Sequence, residues 1–136
     1  MGLPGSGKTT LALQLKKSLE ITSSVDWFNA DAVREKYEDW DFSEQGRIRQ
    51  SMRMRDLSSQ STSDFVLCDF VAPLETMREI FNADYLIWMN TISHGRFADT
   101  NSIFEPPANF DFRIDTWNST DSANHIIREI SARGWM

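Results

Sequence analysis

Hydrophobic positions along the chain fall into two rhythms. Leu11, Ala12, Leu15 and Leu19 lie within about a third of a turn of one another at 100° per residue, with Lys16, Lys17 and Glu20 opposite; the spacing predicts an amphipathic helix over residues 9–20. Short apolar runs then follow at 25–29, 65–71, 85–89 and 110–115. Runs of this length with no alternation are what strands buried on both faces look like. Helices are predicted between them, over 32–37, from Ser43 as N-cap to about residue 57, and over 73–81 with Pro73 in the first turn. A last helix follows Ser119 or Thr120 as cap and presents Ala123, Ile126, Ile127 and Ile130 on one core-facing stripe. Residues 90–109 are polar, with Gly95 and the pair Pro106-Pro107, and read as a long functional loop. Strands alternating with helices at this spacing predict one domain, residues 1–136, with a parallel three-layer α/β sheet.

Composition narrows the class. Forty per cent hydrophobic residues over 136 positions suffice for a single folded core. A formal charge of −6 argues against general affinity for nucleic acid or anionic membrane. One cysteine, Cys68, leaves no internal disulfide and no cysteine-based zinc site. No apolar run is long enough to span a bilayer and no signal-peptide pattern is present, so a cytoplasmic protein is expected. The Asn118–Thr120 sequon is then accidental.

The chemistry is concentrated at the start of the chain. Gly2-Leu-Pro4-Gly5-Ser6-Gly7-Lys8-Thr9-Thr10 has the spacing of a Walker A phosphate loop. Gripping a phosphate chain with inward-facing N–H groups requires glycines that allow close approach and positive φ. Lys8 is placed to reach the β- and γ-phosphates of ATP and the Thr9 hydroxyl to ligate Mg²⁺, with the following helix aiming its positive end at the same anion. A glycine-rich turn capping an ordinary helix would share some of these letters. The third glycine and the amphipathic helix favour the phosphate loop. Such a loop normally follows a buried strand at the centre of the sheet, and only Met1 precedes it here. The expectation is a P-loop NTPase sheet, mostly parallel, whose first, central strand is missing, as in a fragment.

Other candidates are more dispersed. Asp31 follows the first predicted strand at the edge where ligands sit in open α/β sheets, and either serves that site or caps the next helix. Asp69, in an otherwise apolar strand, fits a carboxylate holding the water shell of Mg²⁺, or an ordinary strand-exit residue. Arg47, Arg49, Arg53 and Arg55 share a stretch without acids and form either a solvated helix or a phosphate or sulfate site. Arg47, Gln50 and Arg53 step round that helix by about 60° each. Arg96, in the polar segment, is a candidate lid charge over the phosphates, whereas His94 beside it reads as solvated.

Taken together these residues resemble the adenylylsulfate kinase family. The likeness runs from the phosphate loop through Asn29-Ala-Asp31-Ala-Val-Arg34 (the family has Asp-Gly-Asp-x-x-Arg) to Phe42-Ser43 with Arg47, Gln50 and Arg53, then Phe70-Val-Ala-Pro73 with Arg78, and more loosely Phe104-Glu-Pro-Pro107. The resemblance implies transfer of the γ-phosphoryl group of ATP to the 3′-hydroxyl of adenylylsulfate. It puts Asp31 near the acceptor hydroxyl and Mg²⁺, and Arg34, Phe42, Arg47, Gln50 and Arg53 around the acceptor, with Phe42 stacked on its adenine. The chain departs from the pattern in several places. Asn29 and Gly46 stand where the family has aspartates, Gln50 where it has Asn, and Asp69 where it has an apolar residue; the basic lid stretch is absent, which leaves Arg96 as its only counterpart. A kinase with another acceptor (a nucleotide, a sugar or a polynucleotide 5′ end) and a nucleotide-binding module without catalysis are the alternatives. The expected partner is a small anionic acceptor, with neither nucleic acid nor membrane, and a homodimer is compatible.

Overall fold

The computed structural model describes residues 1–136 and places ten elements in the order α1 (Lys8–Leu19), β1 (Val25–Asn29), α2 (Ala30–Tyr37), α3 (Glu44–Gln60), β2 (Phe65–Asp69), α4 (Glu75–Phe81), β3 (Ile87–Met89), α5 (Ala98–Ile103), β4 (Phe112–Ile114) and α6 (Ser119–Ala132). The strands are parallel, as the apolar runs predicted. They form two pairs, β1 with β2 and β3 with β4. Helices cover both faces. Leu11, Leu15 and Leu19 of α1 pack with Ala123, Ile126 and Ile130 of α6 on one side. Val33 of α2, Met54 of α3 and Met77 of α4 pack with Phe70 on the other.

No strand lies between β2 and β3. The space there is a cavity of about 800 Å³, lined by Phe65 and Leu67 of β2, Tyr85 and Ile87 on the β3 side, and Leu15 and Leu19 of α1. Met1 and Gly2 cross one end of it. Its nitrogen donates to Ile87 O at 2.8 Å, its carbonyl accepts from Met89 N at 2.9 Å, and Gly2 N reaches Val71 O at 3.4 Å. The backbone of Met1 and Gly2 thus connects the two pairs at the end that carries the phosphate loop, Met1 on the β3 side and Gly2 on the β2 side.

Three local expectations are corrected. The segment 90–109 contains a helix, α5, and closes with Glu105 N on Pro73 O at 2.8 Å. Pro73 lies outside α4, whose N-cap is Leu74, because the Pro73 carbonyl serves Arg78 and Glu105. Asn118, not Ser119 or Thr120, caps α6: its side chain accepts from Asp121 N at 3.1 Å, a bond any Asx residue one position earlier can make.

Candidate active site

The phosphate loop is built by close approach. Gly2 has φ +152°, and a Cβ there would stand 2.6 Å from Met89 O. Gly7, the N-cap of α1, has φ +100°, and its missing Cβ leaves room for the Trp117 ring, which a side chain would meet at 2.8 Å. Ser6 N closes the turn on Leu3 O, and Thr91 Oγ1 braces the loop by donating to Ser6 O at 2.7 Å. The Ser6 hydroxyl is fully buried without a partner. Lys8 Nζ folds back onto Leu3 O at 3.0 Å. Burial pushes its ammonium down to about 8, against the pull of Asp69 and Asp31, while Arg96 adds to the depression. A half-buried cation facing two carboxylates is poised to exchange a backbone carbonyl for a phosphate oxygen.

Beside Lys8, β1 and β2 end together. Asn29 is opposite Asp69 in the parallel register. The Asn29 carboxamide caps α2 by accepting from Ala32 N at 3.0 Å, so the cap that Asp31 could have supplied is already taken. Asp31 is left exposed in the first turn of α2. The buried Asp69 carboxylate accepts from Trp27 Nε1 at 2.7 Å, from Asn29 Nδ2 at 3.1 Å and from Thr9 Oγ1 at 3.4 Å. A hydroxyl and one or two carboxylates suit Mg²⁺, which keeps several waters and takes its remaining oxygens from phosphates. Thr9 and Asp69 offer oxygens of that kind side by side, although the residues form no all-protein cage.

The expected acceptor residues also converge, around residues 38–42. Arg34 is buried and donates to Asp39 O and Asp41 O, its guanidinium 4.3 Å from the Phe42 ring centre. The buried Arg47 donates to Phe42 O and to Thr100 Oγ1 at 3.0 Å, and lies 5.4 Å from the same ring. Gln50 donates to Ala30 O, and Arg53 pairs with Asp39 at 2.7 Å, joined there by Arg49 at 2.8 Å. Arg49 and Arg53 hold the Asp39 carboxyl well below the usual carboxylate range. Half of the Phe42 ring stays exposed. Gly46, the departure preceding Arg47, has a physical reason: a Cβ there would lie 2.1 Å from Asp41 O. Asp41 packs directly on α3 where the side chain is missing.

The segment after β3 joins the two halves of the site. Gly95 lies against Pro4 and is clamped by the Asn101 side chain, while Thr100 of α5 meets Arg47. Arg96 is exposed, 5.1 Å from the Phe97 ring centre. Arg78 is buried, and its guanidinium ties Ala72 O, Pro73 O and Glu105 O together. Its role is to hold the turns around the site. Sequence reasoning missed Trp27 and Trp117, because a tryptophan beside a strand end or a loop carries no motif; their polar and close-packed neighbours appear only in the fold.

Parallel strand pairs whose ends face a glycine-cradled loop, with lysine and hydroxyl leading into a helix, define a P-loop kinase fold. The chain belongs to the adenylylsulphate kinase family, whose profile matches residues 1–87. Comparison with curated proteins finds no match. Among solved structures the chain is similar to the APS kinase of Mycobacterium tuberculosis in complex with AMPPNP and APS, with a TM-score of 0.83 at 20% identity over 96% of this chain and 94% of that one. It is also similar to the hexameric APS kinase from Thiobacillus denitrificans (TM-score 0.78, 22% identity, 100% of this chain and 28% of that one). A shikimate kinase from Acinetobacter baumannii in complex with shikimate shares the fold more distantly (TM-score 0.65, 18% identity, 97% and 90%). No helix is long and apolar enough to cross a membrane.

Proposed function

We propose that the chain is an ATP-dependent phosphotransferase that moves the γ-phosphoryl group to the 3′-hydroxyl of adenylylsulfate or a closely similar small anionic acceptor. The observation that carries this reading is the pairing of two sites: Lys8, Thr9, Asp31 and Asp69 around the phosphate loop, and the half-exposed Phe42 ring with Arg34 and Arg47 close to it. Phosphoryl transfer needs positioning and charge neutralisation more than covalent chemistry. Residues 2–10 cradle the phosphates, Lys8 and Arg96 meet the charge of the transferred group, and Asp31 orients the acceptor hydroxyl. Thr9, Asp31 and Asp69 would hold Mg²⁺, which when bound neutralises charge between the phosphates. Phe42 offers its open face to the acceptor's base, and Arg53 with Gln50 borders the anionic end. The family membership and the AMPPNP and APS bound by the Mycobacterium relative support the choice of donor and acceptor.

The test is ADP release with and without adenylylsulfate. Acceptor-dependent release that is lost in Lys8→Ala, with an unchanged melting midpoint, is the expected result. Native-like turnover in that variant would sink the assignment. One observation favours a second reading, a nucleotide-binding module without transfer: Arg34 and Arg47 are already engaged by the protein's own carbonyls. Nucleotide binding with no acceptor-dependent ADP release would select it. Release driven instead by a nucleotide, a sugar or a polynucleotide 5′ end would move the acceptor within the same kinase class.

A further inference from the structure

The ends of β1 and β2 hold a single negative charge in a place where two acids would face each other. Asn29 and Asp69 are register partners. The Asn29 oxygen is committed to Ala32 N, and its nitrogen donates both to Asp69 Oδ1 at 3.1 Å and to Thr9 Oγ1 at 3.3 Å. The other carboxylate oxygen, Asp69 Oδ2, is held by the Trp27 indole at 2.7 Å. Oδ1 is thereby turned toward the hydroxyl of Thr9, the second residue of α1 directly behind the phosphate loop. An aspartate at position 29 could keep the cap but would lose both donated bonds and set a like charge against Asp69.

We infer that Asn29 and Asp69 act as one carboxylate–carboxamide unit, in which Asp69 positions the Thr9 hydroxyl and the divalent cation of a bound nucleotide, Asn29 and Trp27 fix the orientation of Asp69, and the two functional groups can be exchanged between the strands. The inference rests on the nucleotide-binding reading of the phosphate loop and deepens it. Exchange is stereochemically conservative. With Asp at 29 and Asn at 69, the carboxylate still caps Ala32 and lies beside Thr9, the carboxamide nitrogen donates to it across the ladder, and the carboxamide oxygen accepts from Trp27. Every polar atom keeps a partner. Trp27 and Asn29 are positioning residues in this arrangement; of these four residues, Asp69 and Thr9 would face the ion.

The experiment measures the affinity of the full chain for AMPPNP in EDTA and in Mg²⁺, and takes the ratio as readout. Asp69→Asn should lose about 10- to 100-fold of the Mg²⁺ enhancement. Trp27→Phe, which keeps an aromatic ring and removes the indole N–H, should shift the Mg²⁺ requirement upward in the same sense. The Asn29→Asp/Asp69→Asn exchange should recover most of the enhancement lost in Asp69→Asn alone. Undiminished enhancement in Asp69→Asn, or an exchange variant no better than that single variant, overturns the unit but leaves the phosphate loop standing. Failure of the native chain to bind AMPPNP in either condition overturns both. If Asp69→Asn does not fold, Trp27→Phe and the exchange variant decide on the same ratio.

Discussion

Lys8 is the residue at which burial and function pull in opposite directions. Burial holds its ammonium at about 8, and a bound polyphosphate would draw it back up. Only the protonated form contributes a charge to the phosphates. Affinity for AMPPNP should therefore be full below pH 8 and fall as pH rises through about 8, and binding near pH 8 should take up a proton. Calorimetric titration in buffers of different ionisation enthalpy reads that uptake directly; a buffer-independent heat would place Lys8 fully charged in the free protein. The residue itself was legible in the sequence, because gripping phosphate demands a particular order of glycine, lysine and hydroxyl. Other single residues were not. The sequence offered Asp31 as the cap of α2, and only the backbone path shows that Asn29 takes the cap and leaves Asp31 free.

At the scale of elements, the fold was legible wherever one period ran long enough. The apolar runs marked all four strands, and the stripes on α1 and α6 correctly placed those helices on the core. The short helix α5 was hidden because its sequence, Ala-Asp-Thr-Asn-Ser-Ile, has no apolar periodicity; packing of Thr100 against Arg47 and of Asn101 against Gly95 holds it instead. The arginines of α3 were visible as a cluster, but not their engagement with the preceding acidic residues. That engagement depends on Gly46. Gly46→Ala would drive a Cβ into the Asp41 carbonyl, backbone against helix, and neither side has a flexible end that can give way. We expect a loss of about 1–3 kcal/mol, seen as a lower melting midpoint, together with release of Asp39 from Arg49 and Arg53. The Asp39 carboxyl would then titrate back toward the ordinary range, which side-chain NMR can follow. An unaltered midpoint and an unaltered Asp39 would show that residues 38–42 do not depend on contact with α3.

For the molecule as a whole, the decisive feature is the space between β2 and β3. Two parallel pairs are covered by common helices, yet across the middle of the sheet their backbones are joined only through Met1 and Gly2. In a protein made to begin at Met1, the amino group is buried and donates to Ile87 O, and burial together with the Lys8 charge brings its pKa from 8.0 down to about 5. Between these values the unfolded chain binds a proton that the folded chain does not, so stability rises with pH from about 5 to 8 and declines toward pH 5. The slope from this one group is at most roughly 1.4 kcal/mol per pH unit. Placing about five apolar, β-branched residues directly ahead of Met1 converts the amine to an amide. That removes the titration while keeping the N–H donor to Ile87 O. The added backbone can also pair with the facing edges of β2 and β3 and fill the cavity of about 800 Å³. The extended protein should melt at a higher temperature than the native chain at every pH, and the gap should widen as pH falls from 8 to 5. An extension interrupted by proline should remove the pH-dependent part without the rise at pH 8, because it abolishes the charge but cannot complete the ladder. Equal melting of native and extended proteins across this range would mean that the space does not accept a strand and that the two pairs are held by their helices alone.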